Sequence, residues 1–141
     1  MNSENKSSKW ERIELDSDLV ENALNLSERD LKTAKAMFKA NDFDWSYSVA
    51  YNSMLQAGRA LMFSEGFRPK GEHKHVSVVE FVKKKFGKDF AEKILFLFNK
   101  IRKKRHLAVY EQVNAISQEE AETALNTAEE FLGKVKEIIE K

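Results

Sequence analysis

The sequence predicts an all-α protein, an up-and-down bundle of four long helices and one short helix. Three observations predict it. One proline, Pro69, and five glycines interrupt 141 residues, too few breakers for a chain of many turns. Apolar residues recur at steps of three, four and seven along most of the chain. Polar capping residues stand where those stripes begin.

Residues 1–15 are polar apart from Trp10, Ile13 and Leu15, and read as a flexible N-terminal segment in which Trp10 is a packing anchor or unstructured. Residues 16–141 read as the bundle domain. The first helix spans about 17–39, with Val20, Ala23, Leu24, Leu31, Ala34 and Phe38 inward. Asp16 or Ser17 caps its start, and the polar run Ser27-Glu-Arg-Asp30 is a place where it could restart. Asp44 caps the second helix, which ends near Ser64 before Gly66. Its inner positions are Tyr47, Ala50, Tyr51, Met54, Ala57, Leu61 and Met62, and its many small residues let another helix approach closely.

Ser77 and Glu80 have the spacing of a capping box and open a short helix carrying Val78, Val79, Val82 and Phe86, which Gly87 ends. Asp89 and Glu92 form a second such pair before Phe90, Ile94, Leu95, Leu97, Phe98 and Ile101, the most apolar helix and the expected centre of the bundle. Ser117 and Glu120 form a third, ahead of a regular stripe from Ala121 to Ile139.

A net charge of +1 produces no global field, so any basic site is local. The absence of cysteine excludes a disulfide scaffold, a thiol nucleophile and cysteine-based zinc sites, and fits a reducing cytosol, the expected location. Residues 1–9 lack the apolar core of a secretory leader, and no run approaches the ~18 apolar residues that span a bilayer, so no membrane partner is expected. No nucleotide loop, zinc-helix motif or nucleophile elbow is present.

The local charge lies in Lys100-Ile-Arg-Lys-Lys-Arg-His-Leu-Ala-Val-Tyr110, where five cations, a histidine and a tyrosine share eleven residues. Some of these cations serve the end of a helix dipole and solubility. Arg102, His106 and Tyr110 lie at i, i+4 and i+8, on one face of a continuous helix. A guanidinium that stays charged, an imidazole that titrates near neutrality and a phenol suit a phosphodiester. In that reading Arg102 holds phosphate and His106 moves the proton of a 2′-hydroxyl or leaving oxygen. His73 and His75 sit two apart in the linker, with no carboxylate or thiol cluster at metal-ligand spacing. They read as a polar loop, or as a histidine packed near the helix start. Trp45, Tyr47 and Tyr51 read as core or interface rather than as a base-stacking platform.

Three stretches carry a resemblance to the HEPN domain family. Residues 43–61 are similar to the family's second helix, rich in small residues; Phe67-Arg-Pro-Lys-Gly-Glu-His-Lys-His75 resembles its connection into a short third helix; and Arg102-Lys-Lys-Arg-His-Leu-Ala-Val-Tyr-Glu111 looks like the signature ending its fourth. With the helix order, the resemblance covers about residues 17–140. It implies a helical bundle, usually a homodimer, with metal-independent RNA cleavage in catalytic members and no cofactor. Many members are toxins paired with a nucleotidyltransferase-type antitoxin. The family's catalytic signature is an arginine, four to six residues, then a histidine. Here only three residues separate Arg102 from His106, so two alignments stand. One makes Arg102 and His106 the catalytic pair. The other puts Arg105 on the family arginine and Tyr110 on the aromatic of members without the histidine. On the resemblance, Arg105 and Tyr110 join Arg102 and His106 as candidates for a nucleic-acid or phosphate site, to which Lys103 and Lys104 add non-specific attraction. The expected function is binding of RNA or a nucleotide, with ribonuclease activity in a toxin-antitoxin or defence setting. The alternative is a non-catalytic module that dimerises or docks a nucleotidyltransferase-type partner.

Overall fold

Aspartates start the first two helices. In the computed structural model, which describes residues 9–140, the Asp16 carboxylate accepts from the Asp18 amide at the start of α1 (Ser17–Lys39). Asp42, rather than Asp44, caps α2 (Phe43–Ser64) by accepting from the Trp45 amide. Gly66, at φ +81°, takes the left-handed turn that ends α2. Then follow α3 (Lys74–Phe86), α4 (Glu92–Tyr110) and α5 (Gln118–Glu140). The mostly helical fold of five helices agrees with the sequence, and a small two-stranded sheet is added to it.

That sheet revises the reading of the N-terminal segment. Trp10–Arg12 (β1) pairs antiparallel with Phe67–Pro69 (β2), so the chain is tied down from Lys9 onward. The Trp10 ring meets Phe81 edge-on at 5.3 Å, and the Ile13 amide donates to the Gly66 carbonyl at 2.8 Å. The pairing is long-range in sequence, so no local signal announces it. The rest of the proposed flexible segment, residues 1–8, lies outside the described residues.

The centre of the bundle is α2, not α4. All its expected inner residues are buried, and α2 packs against every other helix. Small side chains explain this better than apolar bulk. Buried Ser46, Ser48, Ala50, Ser53, Ala57 and Ala60 leave room for neighbours on several sides. Their hydroxyls are satisfied: Ser46 Oγ donates to the Ala34 carbonyl at 2.8 Å. Ser27 and Ser53 donate to each other's carbonyls at 2.7 and 2.8 Å. This is why α1 runs unbroken through its polar middle: Ser27 is a buried contact with α2, not a restart. By contrast, α4 buries only Phe98 and Ile101, and leaves Phe96 65% exposed.

At Gly58 the close approach has a measurable consequence. A Cβ there would lie 2.5 Å from Val78 Cγ1 on α3. The β-branched Val78 side chain is stiff and fully buried, so it cannot swing aside. Gly58→Ala should therefore destabilise the protein by about 1–2 kcal/mol in urea unfolding. An overpacking cost of about 1–3 kcal/mol outweighs a helix-propensity gain of up to ~1 kcal/mol. A more stable variant would show that α2 and α3 separate freely.

Only one of the three expected capping boxes forms. The Ser117 amide donates to Glu120 Oε1 at 3.0 Å and the Glu120 amide to Ser117 Oγ at 3.1 Å. Ser77 instead lies inside α3, buried, with its hydroxyl on the His73 and Lys70 carbonyls, and Glu80 pairs with Lys9 at 2.9 Å. Valines and Phe81 buried along α3 carry the helix back by nearly a turn, to Lys74. At α4, Ala91 holds the capping position and no side chain caps it. Among the described residues, no helix is long and apolar enough to cross a membrane.

Candidate functional site

The basic stretch is helical to its end at Tyr110, and two contacts fix that end. Asp44, freed from capping, accepts from the backbone amides of Asn114 at 2.7 Å and Ile116 at 3.0 Å. One carboxylate on α2 thus holds the turn after α4, where Asn114 adopts φ 57°. Lys104 hydrogen-bonds to Glu120 on α5. Partial burial pulls the Glu120 pKa up, but hydrogen bonds from Lys104 and Ser117 outweigh it and hold the carboxyl below its usual range.

These anchors set which side chains face out. Lys103 is exposed, while Arg102 and Arg105 are half-buried. Lys104 serves the α4–α5 contact. His106 is exposed, its Nε2 3.2 Å from Glu111 Oε2 and its ring 5.0 Å from that of Tyr110, which is itself 67% exposed. The expected i, i+4 pairing of His106 with Tyr110 is therefore present. Arg102 makes a different contact: its Nε and Nη2 donate to Asn99 Oδ1 at 3.2 and 3.0 Å.

Arg105 turns toward the bundle. Its guanidinium carbon lies 5.4 Å from the centre of the Tyr51 ring on α2. The Tyr51 hydroxyl is 3.1 Å from Nδ1 of His75, in the first turn of α3. Tyr51 is fully buried and also packs on Phe98. Burial raises the Tyr51 pKa despite the opposing charges of Arg105 and Arg102, so the hydroxyl keeps its proton. Burial first, then the charges of Arg105, Arg102 and Arg59, lower the His75 pKa, so this imidazole is neutral at pH 7. No carboxylate figures among the charges that shift either ring. Among the described residues, neither Arg102 nor Arg105 makes an ion pair, and the Nε atoms of Arg59 and Arg105 are buried without a hydrogen-bond partner.

The structure thus splits the predicted set. His106 and Tyr110 lie exposed together, while the charges of Arg102 and Arg105 act on a cluster made by Arg59, Tyr51 and His75. Sequence reasoning missed these last three as a group. They come from α2 and α3, so no spacing links them to α4. One signal was readable: Arg59 is the sole cation in a helix otherwise dense in small and apolar residues.

The HEPN domain model matches residues 20–138. The chain therefore belongs to the HEPN domain family, which has ribonuclease and toxin-antitoxin members. No curated protein matches it.

Proposed function

We propose that this HEPN chain acts as a homodimer that binds the phosphates of RNA or of a nucleotide at the end of α4. The observation that carries this reading is the pair of half-buried arginines, Arg102 and Arg105, without a carboxylate partner among the described residues. Guanidinium groups left unpaired beside a neutral imidazole favour an anion, and phosphate oxygens match their fork. Lys103, exposed on the same helix, and Tyr110 at its end extend the surface to a longer strand. The dimer reading rests on the family and on the exposed apolar face of α4. There a groove of about 670 Å³ between α3 and α4 is lined by Val76, Val79, Leu95 and Phe96 together with polar and charged residues, Glu80, Glu92 and Arg102 among them.

A titration with single-stranded RNA at increasing salt tests the binding. Affinity should fall as salt rises, as expected when lysine and arginine displace counterions. Arg105→Ala should weaken it about tenfold or more, the loss of a charged hydrogen-bonding group. Lys103→Ala should weaken it less and flatten the salt dependence. No affinity at low salt would remove the reading. In its ribonuclease form, as a toxin-antitoxin or defence component, His106 is the acid or base. His106→Ala and Arg102→Ala should then each abolish RNA cleavage in chelator.

A second reading is a non-catalytic module that docks a nucleotidyltransferase-type partner. The contact of His106 with Glu111 favours it, because that carboxylate occupies the ring nitrogen that would move a proton. Cleavage that persists unchanged in both variants would remove the ribonuclease form, and no affinity for RNA at low salt would leave this second reading standing.

A further inference from the structure

We infer that the cluster around Tyr51, where α2, the start of α3 and the end of α4 meet, is a site for a terminal phosphate, a monoester group rather than an internal diester. Arg59, Arg102 and Arg105 hold it, and His75, oriented by Tyr51, donates to it. The inference rests on the phosphate-binding reading above and gives that site its ligand class.

Four observations carry it. Arg59 and Arg105 each keep a buried Nε–H without an acceptor. A buried unsatisfied donor costs about 1–3 kcal/mol, so native proteins rarely keep one without a use for it. Next, Arg105 is preorganised: its guanidinium lies over the Tyr51 ring at 5.4 Å, which fixes its plane. The third is the Tyr51–His75 pair. The hydroxyl and Nδ1 share a hydrogen bond at 3.1 Å, and when the hydroxyl is its donor the neutral imidazole's one proton sits on Nε2, free to donate to an anion. The last is charge. The charges of Arg105, Arg102 and Arg59 all act on His75. A phosphate monoester carries about −1.5 to −2 at pH 7, while each internal diester carries about −1. A half-buried cluster of three cations suits the more concentrated charge. The exposed cations Lys100 and Lys103 suit the backbone of a strand outside it.

The test compares one short single-stranded RNA bearing a 5′-phosphate, a 3′-phosphate or only hydroxyl ends. Affinities are measured on the full chain, with inorganic phosphate as competitor. One phosphorylated form should bind about tenfold tighter than the hydroxyl form. That preference should vanish in Arg59→Gln and in His75→Gln. Lys103→Ala should lower all three affinities alike. In the unsubstituted protein, phosphate should shift the NMR signals of the His75 ring and leave those of His73 in place. This readout holds even where a variant folds poorly. Equal affinity for all three RNAs, with His75 unmoved by phosphate, would overturn the terminal-phosphate site and leave the general RNA reading intact. No binding of any RNA at low salt would overturn both.

Discussion

Phe131→Ala is expected to destabilise the protein by about 3–5 kcal/mol, the usual cost of removing a large buried ring. Phe131 is fully buried on α5 and lies between two other phenylalanines. Phe90 stacks on it at 4.9 Å with planes 24° apart, and Phe98 meets it at 5.0 Å and 55°. Each ring pair adds about 0.5–1.5 kcal/mol beyond burial alone. The three rings join α5, α4 and the loop before α4, so the lost volume cannot be refilled by one side chain moving. Domains of this size have about 5–15 kcal/mol in total, so the variant should lose a third or more of its stability. Urea unfolding measures this as a lower midpoint at an unchanged slope. Val113→Ala is the control, because Val113, in the turn after α4, is 82% exposed and its loss should stay within about 0.5 kcal/mol. Equal effects for the two variants would mean that burial in the monomer does not set the stability of this bundle.

That contrast also shows what the sequence could and could not reveal. The stripes on α1 and α5 were legible because each has one dominant buried face at helical spacing. The rank of α4 was misread for the opposite reason. Its large apolar residues look like a core, yet Leu95 and Phe96 line an open groove beside α3. Burial goes to the helix whose small residues admit neighbours, and that is α2. The strand at Trp10–Arg12 was hidden because its partner is β2, far along the chain. Of three Ser/Asp-x-x-Glu patterns only Ser117–Glu120 caps a helix, since core packing of α3 and the backbone before α4 decide the other two starts. The basic end of α4 was visible as a run of charge. The cluster behind it was not, because Tyr51 meets Arg105 and His75 only after three helices pack. His75 was read as a loop or packed histidine, and the packing turned out to be against Tyr51.

Substitutions at Tyr51 should separate packing from the role of that cluster. Tyr51→Ala removes a fully buried ring that touches Phe98, His75 and Arg105, and should cost about 3–5 kcal/mol. Tyr51→Phe keeps the ring and loses only the hydrogen bond to His75, so about 0.5–1.5 kcal/mol is expected. The pH dependence then identifies what acts on His75. Its folded pKa lies below the ordinary value of 6.5, so between those two values the unfolded chain binds more protons than the folded one. Stability therefore rises with pH through that window and falls as pH drops below about 6.5. Burial and the three arginine charges cause the shift, and both remain in Tyr51→Phe, so its acid limb should stay. His75→Gln removes the titrating group, and the limb from this residue should disappear. Saturating phosphate should oppose acid unfolding in the unsubstituted protein, because an anion offsets the repulsion between a protonated His75 and the guanidiniums. A limb of the same depth in His75→Gln would show that the acid sensitivity arises elsewhere in the chain.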